Sequence, residues 1–164
     1  MNNDNLFHTS INFINSIGIE TVFCRLNSED CFLPGIFISN GKILIDKEKL
    51  LHPGDIIHEA GHLAVIPSAE RMNTSGPDIA KRKDAASEEM MAIAWSYAAC
   101  KHLAVDPAFV FHEEGYKGGG KNIIEDFDAG RYFGVPVLQW LGMTVTKSGN
   151  TAEDYPAMHK WLRD

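Results

Sequence analysis

The stretch from about Asp84 to Leu103 (DAASEEMMAIAWSYAACKHL) constrains the fold more than any other part of the chain. It is rich in alanine and apolar almost all the way round. A helix without a broad polar face belongs at the centre of a protein or in a membrane. No stretch approaches ~18 uninterrupted apolar residues, so a membrane span is not expected. The segment therefore predicts a central, buried helix.

The flanking patterns say what surrounds it. A helix is expected from about Asp4 to Ser16, stopped by Gly18, and Ile19 to Leu26 reads as a strand. Asn40-Gly41 separates Gly35–Ser39 from Lys42–Asp46, and Asn-Gly between apolar runs predicts a β-hairpin with a type I′ turn. Pro53 and Gly54 break the chain, Asp55 can cap a helix, and Ile56 to Ile66 should be that helix, ended by Pro67. From Pro67 to Lys83 a loop with a turn is expected. Ala108–His112 reads as a strand or a helical turn, Gly115–Gly120 as a flexible loop, and Asn122–Ala129 and Pro136–Leu141 as short helices. Trp95, Tyr97, Trp140 and Trp161 are expected in the core or as anchors, and Asp126 and Asp128 on a solvated face. The fold class is α+β. A small antiparallel sheet should pack against the Ile56–Ile66 helix and the long central helix, in a single domain over residues 1–164.

Charge excludes some partners. The formal net charge is −7 with a sequence pI near 5.4. Such an excess repels phosphate backbones and anionic lipid, so neither nucleic acid nor a membrane is the expected partner. Cys24, Cys31 and Cys100 are odd in number and widely spaced, which does not describe a disulfide framework. The N-terminus lacks the basic and apolar regions of a signal peptide, and a cytoplasmic protein is expected. Oligomeric state is left open.

Within the second predicted helix, His58-Glu59-Ala60-Gly61-His62 is an H-E-x-x-H sequence. Residues four apart share a helical face, with Cβ atoms ~5–6 Å apart. Two imidazoles so placed can both reach one ion at Zn–N distances of ~2.0–2.1 Å. Glu59, beside the first ligand, can take a proton from a water acidified by the ion and pass it to a leaving group. With 7 histidines in 164 residues, such a match is expected by chance only about 0.02 times per chain. The alternative is a purely structural pair of histidines.

A zinc site of this type needs a third protein ligand and an open position. Six residues past His62 stands Ser68, so the metzincin histidine is absent. A carboxylate on a second buried helix is the other common solution, and Glu88 and Glu89 both qualify. Glu89, with Ala92 one turn on, is preferred. The remaining glutamate would be a solvated first-turn residue favoured by the helix dipole.

At these residues the chain resembles the gluzincin-type zinc metallopeptidases, particularly the small ImmA/IrrE-like members. The resemblance covers roughly Gly35 to Leu103 and departs where Ile93 replaces an acidic residue. It implies that His58, His62 and Glu89 bind Zn²⁺ and that Glu59 is the catalytic general base. The substrate would be a peptide or protein, held along an edge strand for which the hairpin strands are candidates. The rival reading keeps the metal but not the turnover: a sensing or interaction protein.

Other signals are weaker. His112 or Tyr116 could donate to a developing oxyanion, though a loop histidine and a packing tyrosine are the plainer readings. His52 reads as an ordinary loop residue. Gly115–Lys121 fits the first part of a phosphate-binding loop, but Asn122 stands where a Ser or Thr should hold Mg²⁺, so a Gly-rich loop over a pocket is the better account.

Overall fold

The computed structural model describes residues 3–27 and 31–164. Helix α1 spans Asn3–Ser16, strand β1 Thr21–Phe23, β2 Ile36–Ser39 and β3 Lys42–Ile45. Helix α2 spans Asp55–Val65, and α3 (Ser68–Arg71) and α4 (Gly76–Ile79) are single turns. The long helix α5 is Ala85–His102, followed by α6 (Gly120–Asp128) and α7 (Val135–Trp140). The class is α+β. Among the described residues no helix is long and apolar enough to cross a membrane.

The hairpin forms at the expected turn, with Asn40 at φ 49° and Gly41 at φ 72°, both positive as type I′ requires. The sheet is not wholly antiparallel, which corrects the expectation. Its order is β1-β3-β2, and β1 runs parallel to β3 through Thr21↔Ile43, Val22↔Leu44 and Phe23↔Ile45. The cause lies in the connection. The chain leaving β1 crosses to the far edge before β2, and the hairpin then returns β3 to the middle, heading the same way as β1. β2 is left at an edge.

Helix α2 is the hub. Ile56, Ile57, Ala60, Leu63, Ala64 and Val65 are fully buried, and the helix contacts α1, β3 and, most extensively, α5. The long helix is central, with Ala92, Ala94, Trp95, Ala98, Ala99 and Cys100 at zero exposure. Its main partner is α2, and the helices that pack most on the sheet are α1, α2 and the single-turn α4. Gly61 explains the close crossing. A Cβ there would lie 3.0 Å from the Ala92 carbonyl oxygen and 3.2 Å from Ser96 Oγ, so a larger residue would push the helices apart.

The C-terminal end of α2 leaves carbonyls that two arginines satisfy. Arg71 donates to the Leu63 and Ile66 oxygens at 2.8 and 3.0 Å. Arg163 donates its amide to Ala64 and its guanidinium to Val65. The apolar tail is anchored as expected, because Trp161 packs edge-on against Phe13 and Trp95 and accepts the Trp95 indole N–H at 2.9 Å. Trp140 does not belong to the core. It is 81% exposed, because α7 is only six residues long and buries Val135 and Leu138 on its other face. Asp128 accepts the Tyr97 hydroxyl at 2.6 Å as well as Lys101. Cys24, Cys31 and Cys100 form no disulfide with one another.

Candidate metal centre

One turn of α2 brings His58 and His62 together. Their ring centroids are 4.6 Å apart, and both side chains are nearly buried, at 12% and 11% exposure. Glu89 reaches them from α5: His58 Nε2 lies 3.5 Å from Oε1 and His62 Nε2 3.3 Å from Oε2. Glu89, Ala92 and Ser96 stand at i, i+3 and i+7, one row of α5, and Ala92 and Ser96 are the residues against Gly61. The helix crossing that Gly61 permits thus sets the carboxylate over the histidines.

These separations leave room for an ion to be shared by the three side chains. They are long for a charge-assisted N–H···O bond, which settles at ~2.7–2.9 Å. They match the edge of a tetrahedron with ligand bonds of ~2.0–2.1 Å, which is about 3.3–3.4 Å. The donor set, two imidazoles and one carboxylate, is that of a three-ligand zinc site, and its ligand atoms all lie within 4.8 Å of one another.

Glu88 does not face this site, nor is it solvated. It is 3% exposed and held by Arg82, whose Nε and Nη2 donate to its two oxygens at 2.6 and 2.9 Å. The bidentate pair makes a buried carboxylate tolerable. Arg82 also bridges to Glu70, tying α3 to the start of α5. The Pro67–Lys83 loop therefore carries two helical turns, the second opened by a reciprocal Ser75–Asp78 capping box.

No known protein family, curated protein or solved structure matches this chain.

The electrostatics of the cluster are set by burial and by one another. Burial pushes the Glu59 carboxyl up to about 7; His58 opposes this, while Asp55 and Glu89 add to it. Burial works against protonated His58, yet Glu89, Glu59 and Asp55 outweigh it and raise its pKa. His62 is shifted the other way, by burial and by His58. The Nδ1 atoms of both rings are buried without a hydrogen-bond partner, which leaves Nε2 as the nitrogen each directs at Glu89.

Tyr116 closes one side. Its ring stands edge-on to His58, centroids 5.4 Å apart, and its buried hydroxyl has no hydrogen-bond partner. Burial and the nearby carboxylates Asp55, Glu89 and Glu59 raise its pKa, keeping the hydroxyl protonated. The placement carries backbone strain: Tyr116 and Lys117 sit at φ 52° and 55°, an uncommon region for such residues.

Asp55 does not cap α2 as its position predicts. Instead its carboxylate meets His112 Nε2 at 2.9 Å, and the helix has no side-chain cap. His52 is not an ordinary loop residue either. It stacks on His112 with centroids 3.9 Å apart and planes 13° from parallel. Asp55 lies three residues before His58 on one helical face, which is the signal that could have joined it to the site. Nothing in the sequence foretells that the Phe109–His112 loop lies against it. Gly54 makes this possible, since a Cβ there would fall 1.8 Å from the Phe109 carbonyl oxygen.

The phosphate-loop resemblance gains no structural support. Gly115–Gly120 forms a 3-10 turn at Tyr116–Gly118 and the first residue of α6, and no strand leads into it. Lys121 points outward, with a side chain 85% exposed.

His58, Glu59, His62 and Glu89 line a cleft of about 920 Å³ whose other wall includes Ile36, Phe37 and Ile38 of edge strand β2. Its mouth carries Phe32 and Leu51, 98% and 66% exposed.

Proposed function

We propose that the chain is a zinc-dependent metallopeptidase that hydrolyses an amide bond in a peptide or protein. The observation that carries this reading is the spacing of His58, His62 and Glu89, which suits ligation of one ion better than direct hydrogen bonding. A zinc ion held by these three residues would supply a Lewis acid and lower the pKa of a water to ~7. The chain's own residues account for the rest.

Glu59 follows His58 on α2 and lines the same cleft. It takes a proton from the attacking water and returns it to the leaving nitrogen. The neutral Tyr116 hydroxyl, unpartnered beside His58, serves as donor to the oxyanion that develops on the scissile carbonyl. An extended substrate would lie along β2, which stands at an edge of the sheet. The reading of a minimal gluzincin-like arrangement is supported by β2, α2 and Glu89 of α5 lining one cleft.

Two measurements test the reading together. Metal analysis of protein purified without added zinc should find the ion in wild type, and His58→Ala should hold one ion fewer per chain. Glu59→Gln should retain the ion while losing hydrolysis of a peptide library. Wild type and Glu59→Gln binding zinc alike, with neither cleaving any peptide, would instead favour the sensing or interaction protein. A wild type without metal would sink both readings.

A further inference from the structure

We propose a second site for a divalent transition-metal ion of the zinc class, formed by His112 Nδ1, Glu114 and His52 on the wall of the same cleft. Its ligands share no residue with His58, His62 and Glu89, and the site does not depend on whether the chain is a peptidase.

Asp55 fixes the His112 tautomer. Its Oδ1 lies 2.9 Å from His112 Nε2, and a carboxylate can only accept, so Nε2 carries the hydrogen. That leaves Nδ1 as a bare lone pair. This atom is buried and has no hydrogen-bond partner, a costly state for a polar atom. Facing it at 3.4 Å is Glu114 Oε2. Two acceptors then confront each other at the edge length of a tetrahedral zinc site, about 3.4 Å for bonds of ~2.0–2.1 Å. A cation between them turns that repulsion into attraction.

The Asp55–His112 contact is also the expected outer partner. Ligating histidines almost always donate their other ring N–H to a carboxylate or carbonyl, which fixes the tautomer and makes the ligand more basic. His52 supplies the third nitrogen, since one ring nitrogen of each histidine and a Glu114 carboxylate oxygen lie within 4.8 Å of one another. The stacked rings, 13° from parallel, direct their in-plane lone pairs side by side. His52 therefore turns about its side-chain torsions to meet the ion, as its partly exposed place before α2 allows. Imidazole and carboxylate ligands together suit zinc and its first-row neighbours rather than calcium or magnesium. The competing state has no ion: a doubly protonated His112 sits between Asp55 and Glu114.

Equilibrium dialysis of the full chain against buffered zinc chloride decides between them. Two ions per chain are expected in wild type, and one in each of Glu114→Gln, His52→Gln and His112→Gln. Asp55→Asn should weaken the second step roughly 10–100-fold. Glu114, with a side chain 72% exposed, can be replaced without disturbing the core, so the test survives if the His112 variant fails to fold. An ion content, whether one or two per chain, that is unchanged in both Glu114→Gln and His52→Gln overturns the proposal. The first site is read separately. A His58→Gln/His62→Gln double variant that binds as many ions as wild type would remove the case for that site and leave the second untouched.

Discussion

The two histidine clusters in one cleft are built in opposite ways. His58, His62 and Glu89 come from two helices locked face to face through Gly61, and their separations follow from helical periodicity and one crossing. His52, His112 and Glu114 come from loops, and they meet because the backbone at Gly54 admits the Phe109 carbonyl. The helical cluster has fixed spacing but buried Nδ1 atoms without partners; in the loop cluster His112 is oriented by Asp55 while His52 can turn. A helix fixes where a side chain starts, whereas a loop histidine needs a further partner to fix its ring.

The sharpest separation of the two is chemical. Glu59→Gln should lower kcat roughly 10²–10⁴-fold, as loss of a general base does, with zinc content unchanged. Glu114→Gln, across the same cleft, should leave a folded protein that retains the first ion. If Glu59→Gln turned over at the wild-type rate, the catalytic role proposed for the helical cluster would fall.

The adjacent glutamates should divide next. Glu89→Gln is expected to weaken zinc binding while barely changing stability. Arg82→Met should cost about 3–5 kcal/mol in denaturant unfolding, by leaving the Glu88 carboxylate buried and unpaired, and should not remove a ligand. Equal zinc loss in Glu88→Gln and Glu89→Gln would contradict the geometry.

In the metal-free protein, Glu59 ties stability to pH. Its folded-state pKa, about 7, exceeds the ordinary 4.5. From pH 4.5 to 7 the unfolded chain gives up this proton while the folded chain keeps it, so the contribution to stability falls with rising pH and levels off above 7. The stability of Glu59→Gln should therefore gain on wild type across that window, by on the order of 3 kcal/mol. A gap independent of pH would show that Glu59 is not desolvated.

Glycine substitutions should break the clusters one at a time. Gly61→Val should cost about 1–3 kcal/mol by overpacking the α2–α5 crossing, and weaken the first ion by moving Glu89. Gly54→Ala should displace the Phe109–His112 loop and weaken only the second ion. Smallest of all, Trp140→Ser should change stability by no more than about 0.5 kcal/mol, because the ring lies in solvent.

Much of this was written locally. The α2 boundaries, the Asn40-Gly41 turn and the buried α5 follow from periodicity, Pro67 and positive φ, all properties of neighbouring residues. The four-residue interval of His58 and His62 sets their common face without help from the fold. Glu88 and Glu89 lie at similar angles from the small-residue face of Ala85, Ala92, Ser96 and Ala99, so the pattern supported only a preference for Glu89. Their division depended on Gly61 drawing Ala92 and Ser96 inward and on Arg82, folded back from the preceding loop, claiming Glu88. The same holds for β1, whose direction relative to β3 was set by a crossover, and for Asp55, which forwent its helix cap for a histidine from a distant loop. Helical and turn geometry act over a few residues and are encoded there. Strand direction and the pairing of charges across the cleft depend on which surfaces meet when the core closes, and only the packed chain decides that.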